Sequence, residues 1–218
     1  MTNQGEKVKE YKAYLFDMDG TLVNSEPLKG LALSLACGHY GSDVDFNVYK
    51  GVMGESWSVV TGHFFKDAEI NPDLPEFNQF FRGHYEKLLS EKLELNRGAL
   101  DYLLHLKRSG RKCAVVSSAA TWMVNSILAA LGLTELFDVV ITQEHVTRHK
   151  PDPEAYTLSL NQLGLKASEV LVFEDSNAGV EAGVAAGCDV VAFIHEFNRN
   201  NDLSKAIKFI VDYDEMFV

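Results

Sequence analysis

Basic residues are scarce in this 218-residue chain: 20 lysines and arginines stand against 31 aspartates and glutamates, a net charge of −11. Nucleic-acid binding relies on basic patches that neutralise phosphates, so the composition argues against nucleic acid as a partner. An anionic small molecule stays open, because one lysine and a metal ion invert the field locally. Long apolar runs are also missing. None reaches the roughly 18 residues of a membrane span, and Met1 to Lys12 is too polar for a signal peptide or anchor. The expectation is a cytoplasmic protein with no membrane partner, and a monomer by default. Cysteine is rare: Cys37, Cys113 and Cys188 are odd in number, far apart and set among apolar residues, as buried free thiols would be. Histidines with metal-ligand spacing and a Gly-x-Ser-x-Gly elbow are both absent, which disfavours zinc and serine hydrolases. His145, His149 and His195 fall near strand ends, where any of them could approach a site formed there, but the expected reading for them, as for the others, is a surface or satisfied core residue.

Against these absences stands Tyr14-Leu15-Phe16-Asp17-Met18-Asp19-Gly20-Thr21. An apolar run ends in two aspartates one residue apart. If residues 14–16 form a buried strand, Asp17 lies at its carboxyl end, where open α/β sheets bind ligands. In an extended segment Asp17 and Asp19 share one face and Met18 takes the other. Gly20 lets the backbone turn away without steric cost. Two carboxylates so placed suit a nucleophile beside an acid/base, with a divalent cation offsetting their repulsion.

Three further stretches supply complementary chemistry. Cys113 to Val116 is a β-prone run ending in Ser117 and Ser118, whose hydroxyl and backbone N–H groups suit a phosphate oxygen. Lys150, in His149-Lys150-Pro151-Asp152-Pro153-Glu154, stands just ahead of a helical pattern and is placed to meet an anion. Val170 to Phe173 is another buried strand pattern, ending in Glu174 and Asp175. Paired carboxylates there are costly unless a cation or hydrogen-bond donors compensate them.

In the order and spacing of these four stretches, from Tyr14 to about Phe193, the chain resembles the haloacid dehalogenase-like hydrolase superfamily. The branch is that of β-phosphoglucomutase and small sugar-phosphate phosphatases. The resemblance implies that Asp17 is the nucleophile and Asp19 the general acid/base. It implies that Ser117, Ser118 and Lys150 hold the phosphate of a small phosphorylated metabolite. It further implies a Mg²⁺ site from Asp17, the backbone carbonyl of Asp19, and Asp175, with Glu174 in or just outside the metal's shell.

Between Thr21 and residue 93 the pattern is helical throughout. Ser25-Glu26-Pro27 reads as a cap followed by proline in the first turn, and helical segments fit 46–52, 55–68 and 74–93. Phe64, Phe65, Phe77, Phe80 and Phe81 read as their packed interior. From Asn96 onward helices alternate with short continuous apolar strands, the mark of a parallel sheet covered on both faces. The expected fold is therefore α/β, a doubly wound, Rossmann-like parallel sheet (residues 1–23 and 93–218) with a small helical cap (24–92) inserted after the first strand. Gly179, Gly183 and Gly187, four residues apart, read as close packing of one helix on that sheet.

The expected activity is a Mg²⁺-dependent phosphatase working through an aspartyl-phosphate. Asp17, Asp19, Glu174 and Asp175 bring four negative charges; Mg²⁺ and Lys150 return three, and a proton on Asp19 removes the remainder. A β-phosphoglucomutase-like mutase is the first rival. Its resemblance would call for Arg at Gly54, His at Lys29 and Lys at Ala120, and all three are replaced. A non-catalytic module that binds phosphate esters is the second.

Overall fold

The computed structural model describes residues 9–53 and 55–217. Gly54, one of the three positions weighed against the mutase reading, lies outside the described residues. The chain runs β1 (Ala13–Phe16), α1 (Glu26–Gly38), a 3₁₀ turn (Phe46–Gly51), α2 (Trp57–Ala68), α3 (Leu74–Lys92) and α4 (Ala99–Arg108). It continues β2 (Lys112–Val116), α5 (Thr121–Ala130), β3 (Val139–Ile141), α6 (Glu154–Leu163), β4 (Val170–Glu174), α7 (Asn177–Ala185), β5 (Asp189–Phe193) and β6 (Lys208–Ile210). The six strands form one sheet, order β3-β2-β1-β4-β5-β6, and every pairing is parallel. Strand order reverses beside β1, so the ends of β1, β2 and β4 converge on one crevice.

Alternation along β1 decides what each face holds. Leu15 packs with the α6 and α7 side, where Tyr156, Leu160 and Val180 are buried. Phe16 faces the α4 and α5 side and stacks on Phe173 of β4 at 4.9 Å. This is the doubly wound arrangement that the unbroken apolar strands demand. All three thiols are free and buried, and burial pushes them up to about 11 for Cys37, 12 for Cys113 and 11 for Cys188. No described helix is long and apolar enough to cross a membrane.

The helices α1 to α3 are inserted between β1 and α4, and the two connections run side by side. Asn24 N–H donates to Glu94 O and Asn96 N–H to Leu22 O, both at 2.9 Å. The Asn96 amide also donates to Gly20 O and Thr21 O, at 2.8 and 2.7 Å. The return of the chain is thus tied to the loop that carries the first motif.

Local physics shifts several expected boundaries. The helix expected over 46–52 is a 3₁₀ turn. The helical pattern that the sequence shows over 97–108 begins as α4 only at Ala99, because Gly98 sits at φ +74°, outside helical space. The short β6 was not legible; its three residues alternate too briefly to read. Ser25 occupies the N-cap position of α1 but makes no capping bond, and its hydroxyl is turned toward Asp19 instead.

The glycines of α7 divide by role. At Gly183 a Cβ would lie 2.8 Å from Val190 Cγ2, so the helix needs glycine there to reach the sheet. Gly187 lies beyond the end of α7 at φ +84° and turns the chain into β5, so it is no part of the packing stripe. Gly183→Ala is expected to destabilise the protein by about 1–3 kcal/mol through overpacking. Urea unfolding would measure the loss, and a midpoint equal to the parent's would contradict the close approach.

Candidate active site

Four loops meet at the carboxyl ends of β1, β2 and β4, opposite the inserted helices. Asp17 continues β1, its N–H donating to Phe173 O at 2.9 Å, so its side chain is fixed by the sheet. Met18 is fully buried and Gly20 turns the chain at φ +78°. A Cβ on Gly20 would lie 2.2 Å from Asp175 Oδ2, so this glycine also makes room for the carboxylate from β4.

Lys150 is the hub. Its ammonium is 2.7 Å from Asp17 Oδ1, 2.6 Å from Glu174 Oε1 and 2.9 Å from Val116 O, with only 5% of the side chain exposed. Burial alone would lower its pKa, but Asp17 and Glu174 outweigh burial and hold it above its ordinary value. Glu174 is wholly buried beneath the cavity. Besides Lys150 it accepts from Tyr156 Oη at 2.9 Å, Asp175 N–H at 3.0 Å and the Ser176 N–H and hydroxyl at 3.2 and 3.1 Å. A Cβ on Gly179 would fall on this carboxylate, which explains the third residue of α7.

Carboxylate oxygens of Asp17, Glu174 and Asp175 lie within 4.8 Å of one another. Burial raises Asp17 well above the usual carboxylate range; Lys150 opposes that, and Glu174 and Asp175 add to it. Asp175 is raised likewise, by burial first and then by Glu174 and Glu26. Fully ionised, the three carboxylates would face the single charge of Lys150 with two negative charges uncompensated. That deficit, with oxygen donors only, fits a hard divalent cation. Asp175 is held from outside the acidic triad: Thr21 Oγ1 donates to Oδ1 at 3.1 Å and His195 Nε2 lies 2.8 Å from Oδ2.

The carboxylate of Asp19 does not join the triad. It faces the inserted helices, where its Oδ1 meets the Ser25 hydroxyl, Tyr85 Oη at 3.4 Å and Lys29 Nζ at 3.4 Å. Lys29 is also 3.2 Å from Glu26 Oε1. Burial would lower the Lys29 pKa, yet Asp19 and Glu26 hold it well above its ordinary value. Lys29 is thus a cationic neighbour of Asp19 across the cavity, beside the one that Lys150 gives Asp17.

Above the triad opens a cavity of about 640 Å³. Asp17, Asp19, Ser117, Ser118, Lys150 and Asp175 all line it, so every residue singled out for chemistry reaches one space, with Glu174 just below. Ser117 is buried, its Oγ accepting from Ala119 N–H at 3.0 Å. Across the cavity the inserted helices contribute Lys29, Trp57, Phe81 and Arg82, and α5 contributes Trp122, stacked beneath the Arg82 guanidinium at 4.2 Å. Phe64 and Phe77 are interior, as expected of the phenylalanine set, whereas Phe81 also borders the cavity. Ala120 lines it without any charge.

Lys29, Tyr85 and Tyr156 escaped sequence reasoning as site residues; Thr21 entered it only as the end of the first motif and His195 only as one of three histidines near strand ends. Thr21 and Lys29 lie within twelve residues of Asp17 and carry a proximity signal. Tyr85 and His195 reach the site only through tertiary folding.

A parallel sheet whose first strand ends in paired aspartates, with a buried lysine and an acidic triad beside it, is the arrangement expected of a haloacid dehalogenase-like hydrolase. Comparison with known proteins agrees. The family model described as haloacid dehalogenase-like hydrolase matches residues 14–193. A phosphorylated carbohydrates phosphatase from Thermotoga maritima is 31% identical over 196 residues, 89% of this chain and 91% of that protein. Hexitol phosphatase A from Escherichia coli is 34% identical over 181 residues, 83% of this chain and 82% of that one. CbbY from Rhodobacter sphaeroides, solved in complex with phosphate, superposes with a TM-score of 0.84 over 94% of this chain and 96% of that one. At 24% identity that match speaks for the fold alone. The chain belongs to the haloacid dehalogenase-like hydrolases. It is a phosphoric monoester hydrolase of their phosphatase and β-phosphoglucomutase branch.

Proposed function

We propose that this protein is a cytoplasmic, Mg²⁺-dependent phosphatase that hydrolyses small phosphomonoesters, sugar phosphates among them, through an aspartyl-phosphate on Asp17. The observation that carries the reading is the buried Lys150 ammonium, 2.7 Å from Asp17 and facing the same cavity as Ser117, Ser118 and Asp19. The relatives named as phosphatases of phosphorylated carbohydrates and hexitols support the substrate class.

In this reading Asp17 Oδ attacks phosphorus in line and the ester oxygen leaves on the opposite side. Asp19, facing the helices across the cavity, donates a proton to that oxygen and then takes one from the water that hydrolyses the intermediate. Lys150, the Ser117 hydroxyl and the backbone N–H of Ser118 bear charge on the equatorial oxygens. Asp17, Asp175 and the Asp19 carbonyl would hold the Mg²⁺, with Glu174 behind them. When bound, the cation supplies positive charge against the transferring phosphoryl group. Residues 24–92 act as the cap on a core of residues 1–23 and 93–218, excluding bulk water during transfer.

A phosphate-release screen across sugar phosphates, nucleotides and small phosphorylated acids tests the proposal. Release is expected with Mg²⁺ and none after chelation; full turnover in metal-free buffer, or none on any ester, would overturn it. Mutase activity is expected to be minor, because Ala120 offers no clamp for a second phosphate and Lys29 is engaged by Asp19 and Glu26. β-Glucose 1-phosphate with a bisphosphate activator should therefore give mainly inorganic phosphate. Isomerisation outrunning hydrolysis by about tenfold, some 1.4 kcal/mol in barrier, would favour the mutase instead.

A further inference from the structure

His195 follows β5, outside all four motif stretches, yet its imidazole reaches Asp175 across the loop that carries Gly20. The ring is largely buried, with 16% of the side chain exposed, and each of its nitrogens has a protein neighbour. Nδ1 accepts the Phe197 N–H at 3.1 Å, so it carries no proton. The ring proton therefore sits on Nε2, 2.8 Å from Asp175 Oδ2, and is donated to that oxygen. Asn198 braces the same loop: its Oδ1 accepts from His195 N–H at 2.9 Å, and its amide donates to the carbonyls of Asp175 and Phe193, both at 2.8 Å. Loop and carboxylate are thus clamped together by main chain and side chain. Gly20 makes the clamp possible, since a Cβ there would stand 3.0 Å from His195 Nε2.

We propose that His195 is a positioning residue for the divalent cation, its Nε2–H holding the Asp175 carboxylate in the orientation that binds metal. The inference rests on the reading of Asp175 as a metal ligand given above. A hydrogen-bonded partner behind a metal-ligating carboxylate typically changes metal affinity by about 10–100-fold when removed. The neutral imidazole suits this role, because it adds a donor without adding a positive charge that would repel the cation.

The test is calorimetric titration of Mg²⁺ into the full-length protein without substrate, for the parent and for His195→Ala, His195→Phe, His195→Gln and Asp175→Asn. Melting of each in chelator serves as the folding control. Asp175→Asn is expected to abolish binding. His195→Ala and His195→Phe are expected to weaken it about 10–100-fold, and His195→Gln, whose side-chain N–H reaches toward the place of Nε2, to recover most of the loss. A residue that only supports the fold would lower the metal-free melting temperature and leave the Mg²⁺ affinity unchanged. Parental affinity in both His195→Ala and His195→Phe, with Asp175→Asn impaired, would overturn the role of His195 and leave the metal site standing. So would parental affinity in His195→Phe with His195→Ala impaired, since bulk and not the hydrogen bond would then be at issue, and so would a failure of His195→Gln to recover any of the loss. Parental Mg²⁺ binding by Asp175→Asn would overturn the metal reading itself, and this inference with it. Should His195→Phe fail to fold, His195→Ala carries the comparison.

Discussion

Replacing Asp17 by asparagine is expected to lower kcat by at least about a thousandfold while substrate still binds, because the amide keeps the shape of the nucleophile and loses its reactivity. Single-turnover phosphate release, after mass spectrometry has excluded deamidation, measures this; turnover near the parent's would remove Asp17 from the nucleophile's place. The same variant makes a second, less familiar prediction about stability. Burial raises the Asp17 pKa in the folded protein; Lys150 only partly offsets this, and Glu174 and Asp175 reinforce it. A carboxyl whose folded pKa exceeds its unfolded value of about 3.9 contributes stability that is full below that value. The contribution is lost as pH rises through the folded pKa. Without metal, ionising Asp17 therefore costs the fold stability, and Asp17→Asn should melt no lower than the parent in chelator at pH 8. A lower melting temperature there would mean that the pair with Lys150 outweighs the crowding.

Lys150→Met is expected to be damaging on both counts. Without the ammonium, Glu174 stays wholly buried with its hydroxyl and backbone donors but no countercharge, and Asp17 loses its 2.7 Å partner. Removing one partner of a buried ion pair typically costs about 3–5 kcal/mol, roughly 10 °C in melting temperature for a chain of this length. Loss of an electrostatic contact to the phosphoryl oxygens should add a 10²–10³-fold fall in kcat, on the order seen for oxyanion donors. Differential scanning calorimetry and phosphate release separate the two effects. Parental stability in the variant would show that a cation or water already compensates Glu174, and parental turnover would place phosphate binding elsewhere.

Most of the fold was legible because its signals are local. Each of β1, β2, β4 and β5 is an apolar run too short for a helix and set between turn signals, which is how a strand buried on both faces reads. The end of β1 announced itself by Asp17 and Asp19, and the end of β4 by Glu174 and Asp175. Where reading failed, two structures competed for the same residues. Ser25 looks like a helix cap because serine before Glu-Pro usually is one, but an acceptor on Asp19 captured its hydroxyl. Gly187 shares the spacing of Gly179 and Gly183, yet helical register ends before it. Lys29 entered the sequence argument only as a residue that is not histidine. Its meeting with Asp19 depends on how α1 leaves the first loop.

The sequence by itself determined the class of fold, the family and the chemical types gathered at the strand ends, since these depend on short-range order along the chain. Only the tertiary structure decided which charges balance which. Lys150 pairs with Asp17 and Glu174 over separations of 133 and 24 residues, His195 with Asp175 over 20, and Tyr85 meets Asp19 over 66. Such pairings carry no periodicity that a sequence can display. They are set by the place of β1 between β2 and β4 and by the packing of the inserted helices over the site, and in a low-dielectric interior those placements decide how strongly each charge acts on its neighbours.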